Sequence, residues 1–268
     1  MSGADVEREA ELQAEMRKRW RHELAWSLYA TSYDRVLLEM PYYQEVLARH
    51  HAAMTRSDVR TVLDVGGGTG NVTLPLLAAG RRVTVVDKSR AMLEHLRAKL
   101  EVRPKARDER SLTILEKSAE ELDELVAESF DGSTILLSLY DMAAPDRALA
   151  HAVRSLRAGG TLVVTEPRRR FELAPILAEV ERVLRAKSLW PALQRDWQRV
   201  RDANVELDPS ASRPAPRTGR VFIEDIAAIL DRQGFAIEGP RDSHLGNCAT
   251  IVATKPLPPI GSRPIELH

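Results

Sequence analysis

The sequence predicts an α/β fold: a mainly parallel sheet of seven strands, covered by helices, ending in an antiparallel hairpin and roofed by a helical cap. Three observations carry this expectation. Short apolar runs alternate with amphipathic stretches through the middle of the chain, the pattern of strand–helix–strand units. A glycine-rich turn, Gly66-Gly-Gly-Thr-Gly70, separates the first such run from the helix that follows. The last two strand candidates are too close together for a helix to fit between them, so they pair antiparallel.

Taken in order, residues 1–56 read as an N-terminal helical cap. Leu12, Met16, Trp20, Leu24 and Leu28 recur every four residues, Pro41 interrupts the pattern, and Tyr42–Met54 begins another helix. Residues 57–170 form the core, with strands at Thr61–Val65, Arg82–Val86, Leu112–Glu116, Thr134–Leu139 and Thr161–Thr165. Helical patterns lie between them near Asn71–Ala79, Ala91–Leu100, Ala119–Val126 and Asp146–Leu156. Residues 171–220 are a helical insertion and linker. Leu173, Ile176, Leu177, Val180, Val183 and Leu184 make one apolar face, which Trp190, Leu193, Trp197 and Val200 extend. The Pro/Ser-rich run 208–219 reads as an extended connector. Residues 221–256 supply a last helix and the strands Ala236–Glu238 and Cys248–Thr254, and 257–268 form a tail. Both helical segments fall where they can cover the carboxyl ends of the strands, the edge at which α/β sheets bind ligands. The alternative is that their stripes pack against the sheet edge.

Bulk properties narrow the field. With 268 residues the chain has room for one large α/β domain, or one domain with a cap. Lys+Arg and Asp+Glu are equal at 39 each, so no global field draws it to nucleic acid or a membrane surface. The single Cys248 rules out an internal disulfide and a multi-cysteine metal site, and its apolar surroundings suggest a buried, inert thiol. No stretch approaches membrane-span length and the N-terminus lacks an apolar signal region, so a soluble, cytoplasmic protein is expected, with no metal.

The chemistry concentrates in Thr61-Val-Leu-Asp-Val-Gly-Gly-Gly-Thr-Gly70. Strand, glycine turn and helix bring backbone N–H groups and a helix N-terminus to one point, where the main chain can meet a ligand. A dinucleotide fingerprint would need Gly or Ala where Asn71 stands, and has no use for Asp64. A second apolar strand ends in Asp87, a carboxylate able to accept from both hydroxyls of a ribose. Asp64 has the alternative of a turn or helix-dipole partner, and Asp87 that of an N-cap.

The pattern resembles motif I of the class I S-adenosylmethionine-dependent methyltransferases, whose Rossmann-like sheet with a terminal antiparallel hairpin is similar to the one expected above. The resemblance implies S-adenosylmethionine as cofactor, held by Asp64, Gly66, Gly68, Gly70, Asp87 and Lys88. Where the family often has an Asp-Ala pair for the adenine edge, this chain has Ser118-Ala119. Tyr29 and Tyr33 resemble the aromatic-Tyr-Asp element of ubiquinone/menaquinone-type small-molecule methyltransferases, which closes over the methionine end of the cofactor. Alternatively these tyrosines only pack the cap. Ser138-Leu-Tyr-Asp141 stands where the family faces the methyl group. It lacks the Asn-Pro-Pro-aromatic signature of enzymes acting on exocyclic base or amide nitrogens, which argues against DNA adenine or protein glutamine.

Tyr140, Asp141 and Glu166 are the candidate catalytic residues: Tyr140 as an acceptor contact, and the two carboxylates as proton acceptors if burial raises their pKa. Asp141 has the alternative of capping the next helix. His22, His50, His51, His151 and His244 are further possible bases; His151 sits behind the sheet, and His244 reaches the pocket only if its loop folds inwards. Arg168-Arg169-Arg170 would favour an anionic acceptor if they turn inwards; a solvated loop is the alternative. The expected activity is therefore methyl transfer to an O-, N- or C-atom of a small metabolite, with nucleic acid and membrane disfavoured and room for a homodimer. RNA or protein methylation, and a non-transferase role such as a cyclase, stay open; a nicotinamide-dependent oxidoreductase is disfavoured by Asn71.

Overall fold

The computed structural model describes residues 8, 29, 30, 32–102, 111–125, 127–170, 172–207 and 221–258. Seven strands form one sheet: β1 Thr61–Val65, β2 Arg82–Asp87, β3 Leu112–Glu116, β4 Phe130–Leu136, β5 Leu156–Pro167, β6 Ala236–Ser243 and β7 Cys248–Thr254. Their spatial order is β3-β2-β1-β4-β5-β7-β6. The first five run parallel, and β7 pairs antiparallel with both β5 and β6. From β1 the chain proceeds outwards to β2 and β3, then returns to build β4 and β5 on the other side. This reversal opens a crevice above the carboxyl ends of β1 and β4, the place where open α/β sheets bind ligands.

The helices are α1 Pro41–Met54, α2 Thr73–Ala78, α3 Arg90–Glu101, α4 Pro145–Ser155, α5 Leu173–Ala186, α6 Trp190–Leu207 and α7 Ile223–Arg232. Alternation along each strand sends neighbouring side chains to opposite faces. Val62, Val83 and Val85 pack with Met54, Leu74, Leu93 and Leu96 of α1, α2 and α3. Leu63, Val65 and Val86 pack with Ala148 and Leu149 of α4 and Ile226 of α7. A third cluster lies beyond the strand ends, where Tyr29, Val36, Met40 and Tyr43 meet Ile176, Val180, Trp197 and Val200 of α5 and α6. Under α1, His50 is fully buried, its ring nitrogens 2.6 Å from Thr134 Oγ1 and 2.8 Å from Thr165 Oγ1. Burial lowers its pKa to about 3, so it is a neutral polar staple in the core.

Several expectations need correction. The fifth strand runs Leu156–Pro167, not Thr161–Thr165, and the sixth continues past Glu238 to Ser243. The fourth strand begins at Phe130 and ends at Leu136, not Thr134–Leu139, because Leu137 turns into the left-handed region (φ 50°). Its start was hidden by Asp131-Gly132, yet that glycine is demanded by packing: a Cβ there would lie 2.6 Å from Met54 Sδ. The helix expected over Ala119–Val126 is only a 3-10 turn, Ala119–Glu121. Glu120 bends back to Ser118 and reaches Ala144 N at the start of α4, so its local bonds compete with helix propagation. Pro41 does not merely interrupt a pattern; it occupies the first turn of α1, where its missing N–H costs nothing. The stripe Leu12 to Leu28, His22, Phe171, the connector 208–219 and the tail from Pro259 lie outside the described residues.

Candidate active site

The turn after β1 is closed by its own backbone. Gly66 N and Gly67 N both donate to Val86 O, at 2.7 and 3.2 Å, so the glycines lean across the end of β2. Gly66 has φ +67°, and a Cβ there would fall 2.3 Å from Ser138 Cβ. A Cβ on Gly67 would strike Val85 and the Asp64 carboxylate. Gly68 differs: with φ +55°, a Cβ on it would meet no protein atom nearer than 3.9 Å, because it faces open cavity. Gly70 belongs to another job. A Cβ there would sit 2.3 Å from Leu96 Cδ1, and it does not line the cavity, so it is a packing glycine and its expected cofactor role is not supported by its position.

Asp87 at the end of β2 holds the turn. Its Oδ2 accepts from Gly68 N at 2.9 Å and its Oδ1 from Ser89 N at 2.7 Å. Each oxygen keeps a further lone pair for a ligand. Burial raises its pKa, opposed by those two backbone bonds. Ser89, not Asp87, caps α3 through its Oγ and Met92 N. Asp64 is buried beneath the turn and accepts from Thr73 Oγ1 at 2.5 Å; burial lifts its pKa to about 7.

Next to β3, Ser118 and Ala119 line the cavity, but Ser118 Oγ already donates to Glu120 Oε2 at 2.8 Å and accepts from Glu120 N at 3.3 Å. After β4, Tyr140 and Asp141 sit in the 3-10 turn Leu139–Asp141 and also line the cavity. Asp141 does not cap α4, whose N-cap is Ala144; it lies 3.5 Å from Lys88 Nζ, an ion pair joining the loops after β2 and β4. Glu166 is fully buried and does not line the cavity. Its Oε1 accepts from Ser138 N and Leu139 N, both at 2.8 Å, while burial lifts its pKa to about 7. That geometry makes Glu166 a clamp on the Ser138–Asp141 loop, not a carboxylate at the pocket mouth.

The N-terminal segment is tied to the glycine turn. Asp34 Oδ1 accepts from Thr69 Oγ1 and Asn71 Nδ2, both at 2.7 Å, and Lys99 Nζ lies 2.5 Å from its Oδ2. This draws Tyr29 and Tyr33 over the cavity with ring centroids 4.7 Å apart. Tyr33 Oη donates to Tyr43 Oη at 3.0 Å, and Tyr43 Oη accepts from Asn71 Nδ2 at 3.3 Å. All 5 tyrosines of the chain, Tyr29, Tyr33, Tyr42, Tyr43 and Tyr140, line this one cavity of about 260 Å³. Sequence reasoning missed Tyr42, Tyr43, Gly67 and Asn71; a tyrosine pair immediately after Pro41, at the start of a helix, was the available signal.

Beyond Ser138 the lining turns apolar: Leu136, Ile176, Leu177, Val180, Trp197 and Val200. His244 lies there too, 4% exposed, so its loop does fold inwards. His50 and His151 do not line the cavity, and His51 lies on a separate groove. Of the arginine run, Arg168 turns away to Glu224 and Asp242, whereas Arg169 and Arg170 border the cavity, Arg169 3.4 Å from Glu172. Cys248 is buried and its thiol pushed up by burial, as an inert core group. Among the described residues no cluster could hold a metal ion, and no helix is long and apolar enough to cross a membrane.

A turn that excludes Cβ atoms, a diol-competent carboxylate one strand away and an aromatic lid fit a nucleoside bearing an amino-acid arm. Residues 63–164 match the family described as "Methyltransferase domain". Over these residues the chain is similar to the class I S-adenosylmethionine-dependent methyltransferases. Among curated relatives, a ubiquinone/menaquinone biosynthesis C-methyltransferase UbiE of Rhizobium etli is 39% identical over 108 residues, covering 39% of this chain and 40% of the relative. The chain thus spans about two fifths of the length of the curated relatives it matches. In fold it is similar to an O-methyltransferase family protein from Burkholderia thailandensis, with TM-score 0.54, 15% identity, and 80% and 56% of the two chains covered. It is likewise similar to N-methyltransferase NodS from Bradyrhizobium japonicum in complex with S-adenosyl-L-homocysteine, with TM-score 0.52, 16% identity, and coverage of 81% and 88%.

Proposed function

We propose that this protein transfers a methyl group from S-adenosylmethionine to a small metabolite enclosed between the strand ends and the helical cap of α5, α6 and the tyrosine-bearing N-terminal segment. The observation that carries the reading is the pairing of Gly68 N with Asp87 Oδ2, which holds a Cβ-free turn open onto a cavity lined by every tyrosine of the chain.

Bound S-adenosylmethionine would supply an activated methyl on a good leaving group, so the protein must mainly hold, align and exclude water. Asp87 would bind the ribose hydroxyls, and the backbone from Gly66 to Gly68 with Asp64 would bind the methionine arm. Ala119 would flank the adenine, with Ser118 offering only what its bonds to Glu120 leave. Lys88 and Asp141 would bridge the cofactor end from above. Tyr29 and Tyr33 would close over the sulfonium end, where an aromatic face adds roughly 0.5–2 kcal/mol of cation–π attraction. The walls from α5 and α6 would exclude water and select an apolar body, with Tyr140 and Asp141 contacting the acceptor beside the methyl. Arg169 and Arg170 stand at the mouth, so an acidic group would be accommodated at that outer end and not deep inside.

Thermal melting with S-adenosylmethionine, S-adenosylhomocysteine and NAD(H) tests the cofactor. The first two should raise the midpoint and NAD(H) should not; the reverse pattern would sink the reading. Release of S-adenosylhomocysteine on incubation with a metabolite pool, against a no-pool control, then separates transfer from binding alone.

A further inference from the structure

The segment that carries Tyr29 and Tyr33 over the cavity is helical at residues 29, 30 and 32–37. With about 100° of rotation per residue, its side chains leave in three directions. Tyr29, Tyr33 and Leu37 share the face that lines the cavity. Asp34 leaves on one flank and holds the glycine turn, through Thr69 Oγ1, Asn71 Nδ2 and Lys99 Nζ. Ser32 and Arg35 leave on the other flank and hold α6. Ser32 Oγ donates to Asp196 Oδ1 at 2.8 Å, and Arg35 Nη1 lies 2.6 Å from Asp196 Oδ2.

Burial sets the Asp196 tie apart from a surface ion pair. Ser32 is fully buried and Asp196 is 5% exposed, so breaking the tie would strand a desolvated carboxylate. Arg199 adds a longer contact to Asp196 at 3.9 Å. Further along, Lys187 at the end of α5 donates to Glu39 O at 2.7 Å. Val36 and Met40, both fully buried, pack in the same cluster as Ile176, Val180 and Trp197. The segment thus spans from the turn after β1 to α6 and is fixed at both edges. Neither Asp34 nor Asp196 lines the cavity. A ligand there would touch neither carboxylate, yet moving either one would move the tyrosines held between them.

We propose that Asp34 and Asp196 are positioning residues, which make residues 32–37 a strap that transmits ligand binding at the glycine turn to α6. A cofactor seated on Gly66–Gly68 and against Tyr29 and Tyr33 would narrow the positions open to the strap, and Asp196 would pass that restriction to α6. Trp197 and Val200 of α6 line the cavity, so the wall facing the acceptor becomes ordered when the cofactor binds. By reciprocity, an ordered α6 holds the cofactor more tightly. The proposal rests on the methyl-transfer reading above, because it takes the ligand at the turn to be S-adenosylmethionine.

Amide hydrogen exchange on the full chain, with and without saturating S-adenosylhomocysteine, tests the strap. Rates in α6 are taken relative to α4, which packs in a different cluster and lines no part of the cavity, so a general gain in stability is discounted. In wild type the ligand should slow exchange at the glycine turn, in residues 32–37 and, by about fivefold or more, in α6. Asp34→Ala should keep the slowing at the turn and lose it in α6, with S-adenosylhomocysteine affinity in calorimetry within about fivefold of wild type. Asp34→Asn, whose amide oxygen still accepts from Thr69 and Asn71, should retain most of the α6 effect. Asp196→Ala should keep the slowing at the turn and in the strap and lose it in α6. The proposal is overturned if wild type shows no slowing in α6, or if that slowing survives in both alanine variants. It is overturned too if Asp34→Ala abolishes S-adenosylhomocysteine binding, which would make Asp34 part of the ligand site itself. The wild-type comparison stands even if a variant fails to fold. Failure of S-adenosylhomocysteine to bind wild type would instead remove the methyl-transfer reading, and this one with it.

Discussion

The two halves of the cavity are built on opposite plans. On the reading proposed above, the cofactor half lies over β1, β2 and β3 and is made mainly of backbone and short polar groups: the Gly66–Gly68 turn, Asp64, Asp87 and Ala119. The half proposed for the acceptor, over β4, β5 and the β6–β7 turn, is made of side chains delivered from distant segments, among them Tyr42, Val180, Trp197 and His244. A ligand that never changes can be met by a fixed main-chain shape, which only strand geometry and glycine supply. A ligand that differs from one enzyme to the next must be met by replaceable side chains. The contrast predicts that cofactor affinity and acceptor affinity respond to separate sets of substitutions.

The largest effect should come where the halves touch. Gly66→Val places a branched side chain at φ +67° against Ser138, and Ser138 Oγ donates to Val65 O at 3.1 Å to close the crevice. The glycine turn and the Ser138–Asp141 loop cannot both keep their positions. S-adenosylhomocysteine affinity in calorimetry should fall by more than about 100-fold, with a destabilisation of roughly 2–4 kcal/mol in denaturant melts. Near-native binding would mean that the turn is not the cofactor cradle.

Asp87→Ala comes next and should act on one half alone. It removes charge-assisted hydrogen bonds worth roughly 1.5–3 kcal/mol, so cofactor affinity should drop about 10- to 100-fold. Affinity for 2-naphthol, a small apolar probe for the Ile176–Val200 side of the cavity, should stay within about twofold when measured under excess S-adenosylhomocysteine. Trp197→Phe is the mirror experiment. Trp197 is 4% exposed and packs with Val180, Val200 and Tyr29 in the cap. Shrinking it should weaken 2-naphthol about three- to tenfold and leave S-adenosylhomocysteine within about twofold. Equal losses for both ligands in either variant would dissolve the division.

The same division explains what was legible in the sequence. Thr61–Val65, Leu112–Glu116 and Cys248–Thr254 match the expected strands end for end, because each is an apolar run bounded by a sharp change of polarity. The residues proposed to hold the cofactor stood out because most of them lie within one contiguous strand–turn–helix–strand stretch with a fixed spacing, Ala119 being the exception. Gly70 misled for a physical reason: a glycine that admits Leu96 and one that admits a ligand look the same in a string of letters. Glu166 misled similarly, since a carboxylate ending a strand points at the pocket only if no backbone N–H groups claim it first. The acceptor half was largely illegible because its proximity is tertiary. Nothing local to His244 shows that three left-handed residues will swing it inwards, and nothing local to Tyr42 shows that it will meet that ring.

Glu166→Gln should have the smallest effect on binding and is the most discriminating for the border between the halves. If Glu166 only clamps the Ser138–Asp141 loop, a glutamine oxygen can still accept from Ser138 N and Leu139 N, and both ligands should bind within about threefold of wild type. The signature then lies in stability against pH. Burial raises the carboxyl from 4.5 to about 7, so between those values the folded chain keeps a proton that the unfolded chain has released. The contribution of that proton is complete below pH 4.5 and is lost as pH rises through 7. Glutamine cannot titrate, so the variant should gain on wild type across this window, by roughly 1–3 kcal/mol in urea melts. Asp64, His50 and His244 titrate in both proteins, so taking the difference between them cancels those groups. A flat difference together with a tenfold or greater loss of 2-naphthol binding would place Glu166 in contact with the acceptor and return it to the acceptor half.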